Sequence, residues 1–219
     1  MIKNLIFDLG GVVIPLSPEI AFQRFEALGI KEARKMMGLY GQTDIFLQLE
    51  NGSIDAEEFQ YKLAQLAKKQ SGEEAVKTEK FSFEQTQWAW QGYVQNVELK
   101  RLNYLRKLKK DYQVILLSNT NPFVVQFAES EQFSGDGHPI DFYFHKLFYS
   151  FRMKDYKPSE SIFKKMIQEA DIIPQESIFL DDGPKNIETA DKIGMHTLLV
   201  NENEDWWDKL NLKLKQINQ

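Results

Sequence analysis

Short apolar runs alternate with helical patterns along the second half of the chain, and one such run opens it. Three runs, Asn4 to Phe7, Val114 to Leu117 and Ser177 to Leu180, each end at a polar cluster. Apolar runs of this length that are bounded by turn residues predict buried strands. Phe142 to Ser150 contains a fourth predicted strand, and Thr197 to Val200 is a fifth.

Helical patterns separate these strands. Asn96 to Lys110 has apolar residues at helical spacing, Pro122 opens a helix, and Ser159 to Ala170 keeps its apolar residues on one face. Pro184 to Ile193 is a further helix, which Gly194 closes. Strands that alternate with helices in this way form a parallel sheet covered by helices on both faces. The pattern therefore predicts an α/β fold.

The segment from Ser17 to about Gly92 breaks the alternation, because it has helical periodicity and no convincing strand. Ser17-Pro18 places a cap before a proline at the first helical position, and Gly29 can end that helix. Asp55 to Glu58 and Ser82 to Gln85 match capping boxes before two more helices. We interpret the segment as a helical insertion of about 75 residues, the size of a small domain.

The composition narrows the classes of function. The 219 residues include 27 basic and 32 acidic side chains and no cysteine, which excludes disulfides and thiolate chemistry. A formal net charge of -5 argues against a nucleic-acid partner. No apolar run approaches the ~18 residues of a membrane span, so we expect a cytoplasmic protein. The densest basic cluster alternates with leucines and is interpreted as the solvated face of a helix: Lys100, Arg101, Arg106, Lys107, Lys109 and Lys110.

Four polar clusters fall at or just after predicted strand ends: Asp8, Ser118-Asn119, Lys157 and Asp181-Asp182. In an open parallel sheet, the carboxyl ends of the strands converge on one crevice where ligands bind. Three carboxylates held there would repel one another. The repulsion between two of them near 4 Å costs about 4 kcal/mol at an effective dielectric of 20. The site therefore needs cations.

One Mg²⁺ and the Lys157 ammonium would cancel the three negative charges and leave a neutral site that can receive a phosphate dianion. Ser118 and Asn119 add a hydroxyl and an amide as donors for phosphoryl oxygens. An aspartate whose charge is screened by metal can act as a nucleophile and form an aspartyl phosphate. The clusters thus point to phosphoryl transfer.

Each cluster also has an ordinary structural interpretation. Asp8 could be a turn former, and Asp181-Asp182 could be the N-cap of the helix that begins at Pro184. Lys157 could be a surface lysine, and Ser118-Asn119 a polar strand end. The joint occurrence of all four clusters at strand ends favours a functional site over these structural roles.

The tryptophans and histidines are assigned to packing or to the surface. The three histidines lack the spacing of metal ligands. The tryptophans lie on predicted helices with apolar neighbours, which is typical of core positions rather than of ligand platforms. These residues are His138, His145, His196, Trp88, Trp90, Trp206 and Trp207.

Four segments follow one another along the chain: FDLGGVV (Phe7 to Val13), LLSNT (Leu116 to Thr120), Lys157-Pro158 followed by Ile162-Phe163, and FLDDGPKN (Phe179 to Asn186). Taken in this order, they resemble the motifs of haloacid dehalogenase-like (HAD) hydrolases. The resemblance implies a Rossmann-like three-layer α/β/α core, a mobile helical cap between the first two motifs, Mg²⁺ dependence and usually phosphatase activity. It divides the chain into a core of residues 1–15 and 95–219 and an all-helical cap of residues 16–94.

The resemblance also assigns the metal site. Asp8 would be the nucleophile and a metal ligand, and the backbone carbonyl of Gly10 would be a second ligand. Asp182 would bind the metal directly, and Asp181 directly or through water. Asn186 would support the acidic loop.

The substrate contacts follow from the same resemblance. Ser118 would hold the transferring phosphoryl group together with the backbone amide of Asn119, and Lys157 would bridge Asp8 and that group. The LSNTN segment and the cap segment Leu49 to Ile54 are also similar to bacterial phosphatases of sugar 1-phosphates, notably glucose 1-phosphate.

One position departs from the family pattern. The usual first motif has a second aspartate two positions after the nucleophile, which serves as general acid and base, and here that position is Gly10. Either the substrate has a good leaving group, such as the anomeric oxygen of a sugar 1-phosphate, or a cap residue replaces the aspartate. Asp44 and Glu50 are the nearest acidic candidates by position. Of these explanations, the leaving group is the hypothesis preferred from the sequence.

We therefore expect a Mg²⁺-dependent phosphatase of a small phosphorylated metabolite, as a monomer or homodimer, without nucleic-acid or membrane partners. The first alternative is a catalytically weak relative that binds a phosphometabolite or a protein partner. The second is a haloacid dehalogenase, which would need no metal and is disfavoured by the paired Asp181-Asp182. A receiver domain is set aside, because its acidic pair would come early in the chain.

Overall fold

The computed structural model describes residues 1–37, 43–94 and 97–217. Five strands form one sheet in the order β3-β2-β1-β4-β5, and every neighbouring pair is parallel. The strands are β1 Asn4–Phe7, β2 Gln113–Ser118, β3 Lys146–Tyr149, β4 Ser177–Asp181 and β5 His196–Leu199. The predicted α/β fold is confirmed.

Helices occupy the connections between the strands. The first five of those described between β1 and β2 form the helical insertion (residues 18–90): α1 Pro18–Ala27, α2 Ala33–Met36, α3 Asp44–Glu50, α4 Ala56–Ser71 and α5 Phe83–Trp90. The others are α6 Leu99–Leu108, α7 Pro122–Ala128, α8 Ser150–Met153, α9 Glu160–Ala170, α10 Pro184–Lys192 and α11 Trp207–Ile217. Within the ranges described above, no helix has the length and apolar character that crossing a membrane requires.

The sheet is buried on both faces, because successive side chains of a strand point to opposite sides. Leu5 and Phe7 pack with leucines of α6 and α11 on one face. Ile6 packs on the other face with α9 residues such as Phe163 and with Ala190 of α10. Two helical layers therefore enclose the sheet, as the predicted three-layer core requires.

The helical insertion has an apolar cluster of its own. Its aromatic rings meet edge to face, with Phe25 5.4 Å and Phe46 5.7 Å from the ring of Trp90. Phe123 of α7 joins this cluster and connects the insertion to the core. The ends of the insertion are tied together by an antiparallel bridge between Leu16 and Val94.

Most of the predicted helix signals lie where the sequence places them. Ser82 and Gln85 form a complete capping box, and Asp55 accepts a hydrogen bond from the Glu58 amide. Gly29 follows α1 with a φ of 95°, a conformation that favours glycine. The predicted start of α6 at Asn96 lies outside the described residues, and the helix is described from Leu99.

Two predictions about the surface are wrong. Arg101 is only 2% exposed, because its guanidinium donates to the carbonyls of Val12 and Asn203 instead of facing solvent. Trp88 is 44% exposed and packs under the Arg24 guanidinium, 5.1 Å from the ring centroid. Periodicity places a residue on a helix face, but it does not show which partners that face meets.

Candidate active site

The predicted polar clusters meet at the carboxyl edge of the sheet. Phe7 of the central strand lies in register with Leu180, so Asp8 and Asp181 follow side by side at the ends of two neighbouring strands. The Asp8 amide donates to the Leu180 carbonyl at 2.9 Å. Asp8, Asp181 and Asp182 each offer a carboxylate oxygen within 4.8 Å of the others. Parallel pairing thus brings together carboxylates that are 173 residues apart in sequence.

Lys157 joins this group from the loop before α9. Its ammonium lies 3.0 Å from Asp8 Oδ1 and 2.6 Å from Asp181 Oδ2, and its side chain is 1% exposed. Burial alone would lower the pKa of Lys157, but the attraction of Asp181 and Asp8 outweighs it and raises that pKa. Lys157 therefore carries a positive charge into the buried edge of the acidic cluster.

Asn119 fixes the loop that carries this lysine. Its Oδ1 accepts from the Lys157 amide and its Nδ2 donates to the Lys157 carbonyl, both at 2.9 Å. Both polar atoms of the Asn119 side chain are therefore engaged by the backbone of Lys157. Ser118, the last residue of β2, is buried and lines the same cavity as Asp8.

Asp181 is the most enclosed of the three carboxylates. Oδ2 accepts from Lys157, while Oδ1 accepts from the Gly183 amide at 2.7 Å and from Asn186 Nδ2 at 2.9 Å. Gly183 is the N-cap of α10, which has no side-chain cap. The interpretation of Asp181-Asp182 as a helix cap is therefore wrong, and Asp181 instead orients Lys157 and the acidic loop.

Asp8 and Asp182 face the cavity and are harder to ionise than free carboxyls. Burial is the main reason that the pKa of Asp8 rises to about 7, and the charges of Asp181 and Asp182 add to the effect against that of Lys157. Burial and then the Asp181 charge raise the pKa of Asp182 to about 6. A cation between these groups would relieve the repulsion.

The donor set fits Mg²⁺. Carboxylate oxygens are the protein ligands that this ion prefers, and it combines them with water and phosphate oxygens. Among residues 1–37, 43–94 and 97–217, Asp8, Asp181 and Asp182 form the one group of at least three such side chains with ligand atoms close enough to share an ion. Gly11, with a φ of 73°, lets Asp182 approach, because an added Cβ would lie 2.4 Å from Asp182 Oδ2.

The cluster lies in a cavity of about 640 Å³ between the core and the helical insertion. The core contributes Asp8, Gly10, Ser118, Lys157 and Asp182, whereas Asp181 lies behind the surface of the cavity. The insertion contributes Glu50 and Trp90, and the neighbouring residues Leu16, Tyr93 and Val94 complete that wall. Trp90 is therefore both a core residue of the insertion and part of the cavity wall, whereas the sequence predicts only the former.

The sequence did not indicate the residues that support Glu50. Burial raises the pKa of Glu50 to about 8, and hydrogen bonds from the side chains of Asn121 and Tyr156, which both line the cavity, oppose the rise. Asn121 lies inside the LSNTN segment, which is a signal that could have marked it. Tyr156 has no signal beyond its position before Lys157.

Comparisons with known proteins agree with this geometry. The sequence profile described as "haloacid dehalogenase-like hydrolase" matches residues 2–194. The chain is 38% identical over 214 residues to D-ribitol-5-phosphate phosphatase of Bacteroides thetaiotaomicron, and the match covers 98% of this chain and 99% of that protein.

Solved structures give the same result. A predicted HAD-like family hydrolase of Porphyromonas gingivalis has a TM-score of 0.87 at 35% identity, with 98% of each chain covered. A HAD family enzyme of Bacteroides thetaiotaomicron, solved with magnesium and inorganic phosphate, has a TM-score of 0.79 at 31% identity, with 95% of this chain and 99% of that one covered. The chain therefore belongs to the haloacid dehalogenase-like hydrolases.

Proposed function

We propose that the protein is a Mg²⁺-dependent phosphatase that hydrolyses a small phosphomonoester through Asp8. The observation that carries the proposal is the placement of the Asp8 carboxylate against Lys157 and Asp182 in a cavity that the helical insertion also lines. Leu9 N–H donates to Asp8 Oδ1 at 2.7 Å, and the Lys157 ammonium approaches the same oxygen. These two contacts hold the carboxylate in one orientation, as a nucleophile requires.

The metal would be held by Asp8, the carbonyl of Gly10 and Asp182. Because both oxygens of Asp181 already accept hydrogen bonds, we assign that residue a contact through water. When bound, Mg²⁺ supplies positive charge that polarises the phosphoryl group and offsets the repulsion between the carboxylates.

The chain's own residues account for the reaction. The Asp8 carboxylate attacks phosphorus, the bond from phosphorus to the ester oxygen breaks, and the alcohol leaves. Water then attacks the aspartyl phosphate and releases inorganic phosphate. Ser118 Oγ, the backbone N–H of Asn119 and the Lys157 ammonium bind the phosphoryl oxygens, and Asn186 keeps Asp181 in place.

The helical insertion would act as a cap over this site. We propose that residues 1–15 and 95–219 form the catalytic core and that 16–94 form the cap. A cavity of about 640 Å³ suits a small metabolite rather than a protein substrate. The aromatic wall and the exclusion of bulk water would strengthen the electrostatic contacts below.

The substrate we propose is the phosphate ester of a small polyol or sugar. The relative from Bacteroides thetaiotaomicron that is named for D-ribitol 5-phosphate matches nearly the whole chain, which supports an ester of a primary alcohol. The similarity of the LSNTN and Leu49 to Ile54 segments to phosphatases of sugar 1-phosphates supports the second substrate to test.

A phosphate-release assay tests this function. The full chain is incubated with D-ribitol 5-phosphate, glucose 1-phosphate and p-nitrophenyl phosphate, with MgCl₂ or with EDTA. We expect turnover that requires Mg²⁺, and Asp8→Asn should reduce it by at least about 10⁴-fold, as removal of a nucleophile does. Asp191→Asn, an exposed aspartate of α10, is the matched control and should match the parent.

Two results would contradict the proposal. Tight binding of phosphate esters without any release of phosphate would favour a ligand-binding relative. Halide release from a 2-haloacid in EDTA would favour a dehalogenase.

A further inference from the structure

Glu50 brings a carboxyl group from the helical insertion into the cavity. It is the last residue of α3, is 6% exposed and lines the cavity that Asp8 also lines. Among the cavity-lining residues that the structure describes, it is the carboxylate that the helical insertion contributes. The other cavity-lining carboxylates, Asp8, Asp182 and Glu202, come from the core.

Three core segments hold Glu50 in place. Its carboxylate accepts hydrogen bonds from the side chains of Asn121 and Tyr156. Asn121 Oδ1 already accepts from the amides of Phe123 and Val124, which leaves its Nδ2 as the donor to Glu50. The Ser150 hydroxyl donates to the Glu50 carbonyl at 2.5 Å. Glu50 is therefore a fixed group and not a mobile surface acid.

The surroundings favour the neutral form of Glu50. Burial raises its pKa to about 8, and the charge of Asp8 adds to the rise, while the hydrogen bonds from Asn121 and Tyr156 oppose it. Because Glu50 lines the cavity, a bound ester can lie within reach of its proton. A protonated carboxyl at neutral pH is the state that a general acid needs.

The first motif cannot supply such a group. Gly10 has no side chain, and the space beside it is filled, since an added Cβ would lie 2.5 Å from Leu16 Cδ1. General acid catalysis is worth about 10²- to 10⁴-fold, and it matters most when the leaving group is a basic alkoxide. Asp44, the other candidate from the sequence, lies at the exposed start of α3 and does not line the cavity.

We propose that Glu50 is the general acid and base of the phosphatase reaction. This inference rests on the function proposed above. As the Asp8 oxygen bonds to phosphorus and the ester P–O bond breaks, the Glu50 carboxyl gives its proton to the departing alkoxide. The resulting carboxylate then takes a proton from the water that attacks the aspartyl phosphate. That step breaks the bond between phosphorus and Asp8, releases phosphate and restores protonated Glu50.

Leaving-group dependence in a Glu50→Gln variant tests the proposal. Glutamine keeps the shape of the protonated carboxyl but cannot transfer its proton. On D-ribitol 5-phosphate, whose leaving alkoxide needs a proton, we expect kcat to fall about 10²- to 10³-fold. On p-nitrophenyl phosphate, whose leaving phenolate does not need a proton, the effect on formation of the aspartyl phosphate should be less than about fivefold in the burst phase. Asp44→Asn, on the same helix, is the matched control and should leave both rates unchanged.

A measurement on the parent protein guards against a variant that fails to fold. Across substituted phenyl and alkyl phosphates, the parent should show a shallow dependence of kcat/KM on the pKa of the leaving group. A steep fall with rising leaving-group pKa would overturn the proposal. Equal losses on both esters in the rate of aspartyl phosphate formation by folded Glu50→Gln, or no loss on either, would overturn it as well. Parent activity that Asp8→Asn does not abolish would instead overturn the proposed function and not this inference alone.

Discussion

The two walls of the cavity are built on different principles. The core wall is a network of charges, in which Lys157 touches two carboxylates and Asp181 accepts three hydrogen bonds. The wall from the helical insertion is aromatic and apolar, and Glu50 is the carboxylate that it contributes among the described residues. The difference teaches that charge is concentrated at the strand ends, where backbone geometry fixes it. In the proposed reaction, that charge would serve the phosphoryl group and the insertion would face the rest of the substrate.

The largest loss of unfolding free energy is expected from a substitution that breaks the charge network of the core. Lys157→Met would leave the Asp8 and Asp181 carboxylates without their buried cation. Removing one partner of a buried ion pair costs about 3 to 5 kcal/mol of unfolding free energy. Urea denaturation in EDTA measures the change. Lys164→Met, which removes an exposed lysine paired with Glu160, is the control and should cost less than about 1 kcal/mol.

Nearly as large a loss of unfolding free energy is expected when the aromatic wall loses its central ring. Trp90→Ala would empty the centre of the ring cluster in the insertion and cost about 3 to 5 kcal/mol in the same denaturation measurement. Trp88→Ala, two residues away and 44% exposed, should cost about 1 kcal/mol or less. Equal losses for the two variants would show that the cluster is not what stabilises the insertion.

Magnesium should stabilise the core, and more so at high pH. At a concentration of a hundred times its Kd, a ligand adds about 2.7 kcal/mol to the unfolding free energy. For a chain of this size, that gain raises Tm by roughly 5 to 10 °C. In the metal-free protein the pKa of Asp8 is raised to about 7, so the folded state holds a proton that the unfolded state releases. In the metal-free protein, the contribution of Asp8 to the unfolding free energy therefore falls as pH rises from about 4 to 7.

Thermal unfolding with EDTA or MgCl₂ at pH 5 and pH 8 measures this linkage. The Mg²⁺ shift should be larger at pH 8, because the carboxylates no longer need to lose protons to bind the ion. In Asp8→Asn the fall of metal-free Tm with pH should be weaker than in the parent. A Mg²⁺ shift that is independent of pH would contradict the assignment of Asp8 as a ligand.

The smallest expected difference between two variants concerns a contact between the helical insertion and the core. Gly52 has a φ of 73°, and an added Cβ would lie 2.3 Å from the Phe151 carbonyl oxygen of the core. Gly72 has a φ of 92° and a ψ of 150° but nothing within 4 Å of its added Cβ, so Gly72→Ala carries only the backbone strain, about 1 to 3 kcal/mol. Gly52→Ala should cost about 1 to 3 kcal/mol more in unfolding free energy, because it also overpacks the contact.

Phosphatase assays sharpen this last comparison. Because Gly52 lies two residues after Glu50, Gly52→Ala should also lower turnover of D-ribitol 5-phosphate, while Gly72→Ala should leave it unchanged. Full activity in Gly52→Ala would show that close contact at this point is not needed to position Glu50.

Much of the core could be predicted from the sequence, because its signals are local. Each strand is a short apolar run, and Asp8 and Asp181 follow two of them directly. General rules for parallel sheets then bring those ends together. The prediction needed no knowledge of individual contacts.

The insertion and the detailed contacts could not be predicted in this way. The burial of Glu50 depends on Asn121, Tyr156 and Ser150, which are about 70 to 105 residues away in sequence. Arg101 likewise turns inward because two distant carbonyls need donors. No periodicity within a helix encodes such partners, so the sequence suggested both Asp44 and Glu50 and could not choose between them.

The bridge between Leu16 and Val94, with the Ser17 amide donating to the Tyr93 carbonyl at 2.9 Å, brings the entry and exit of the helical insertion side by side. A module that leaves and rejoins its host through adjacent points can be exchanged without altering the spacing of the host's strands. We expect that a chimera carrying the corresponding segment of a relative, joined at this stem, would retain the hydrolytic machinery and take on the donor's choice of alcohol.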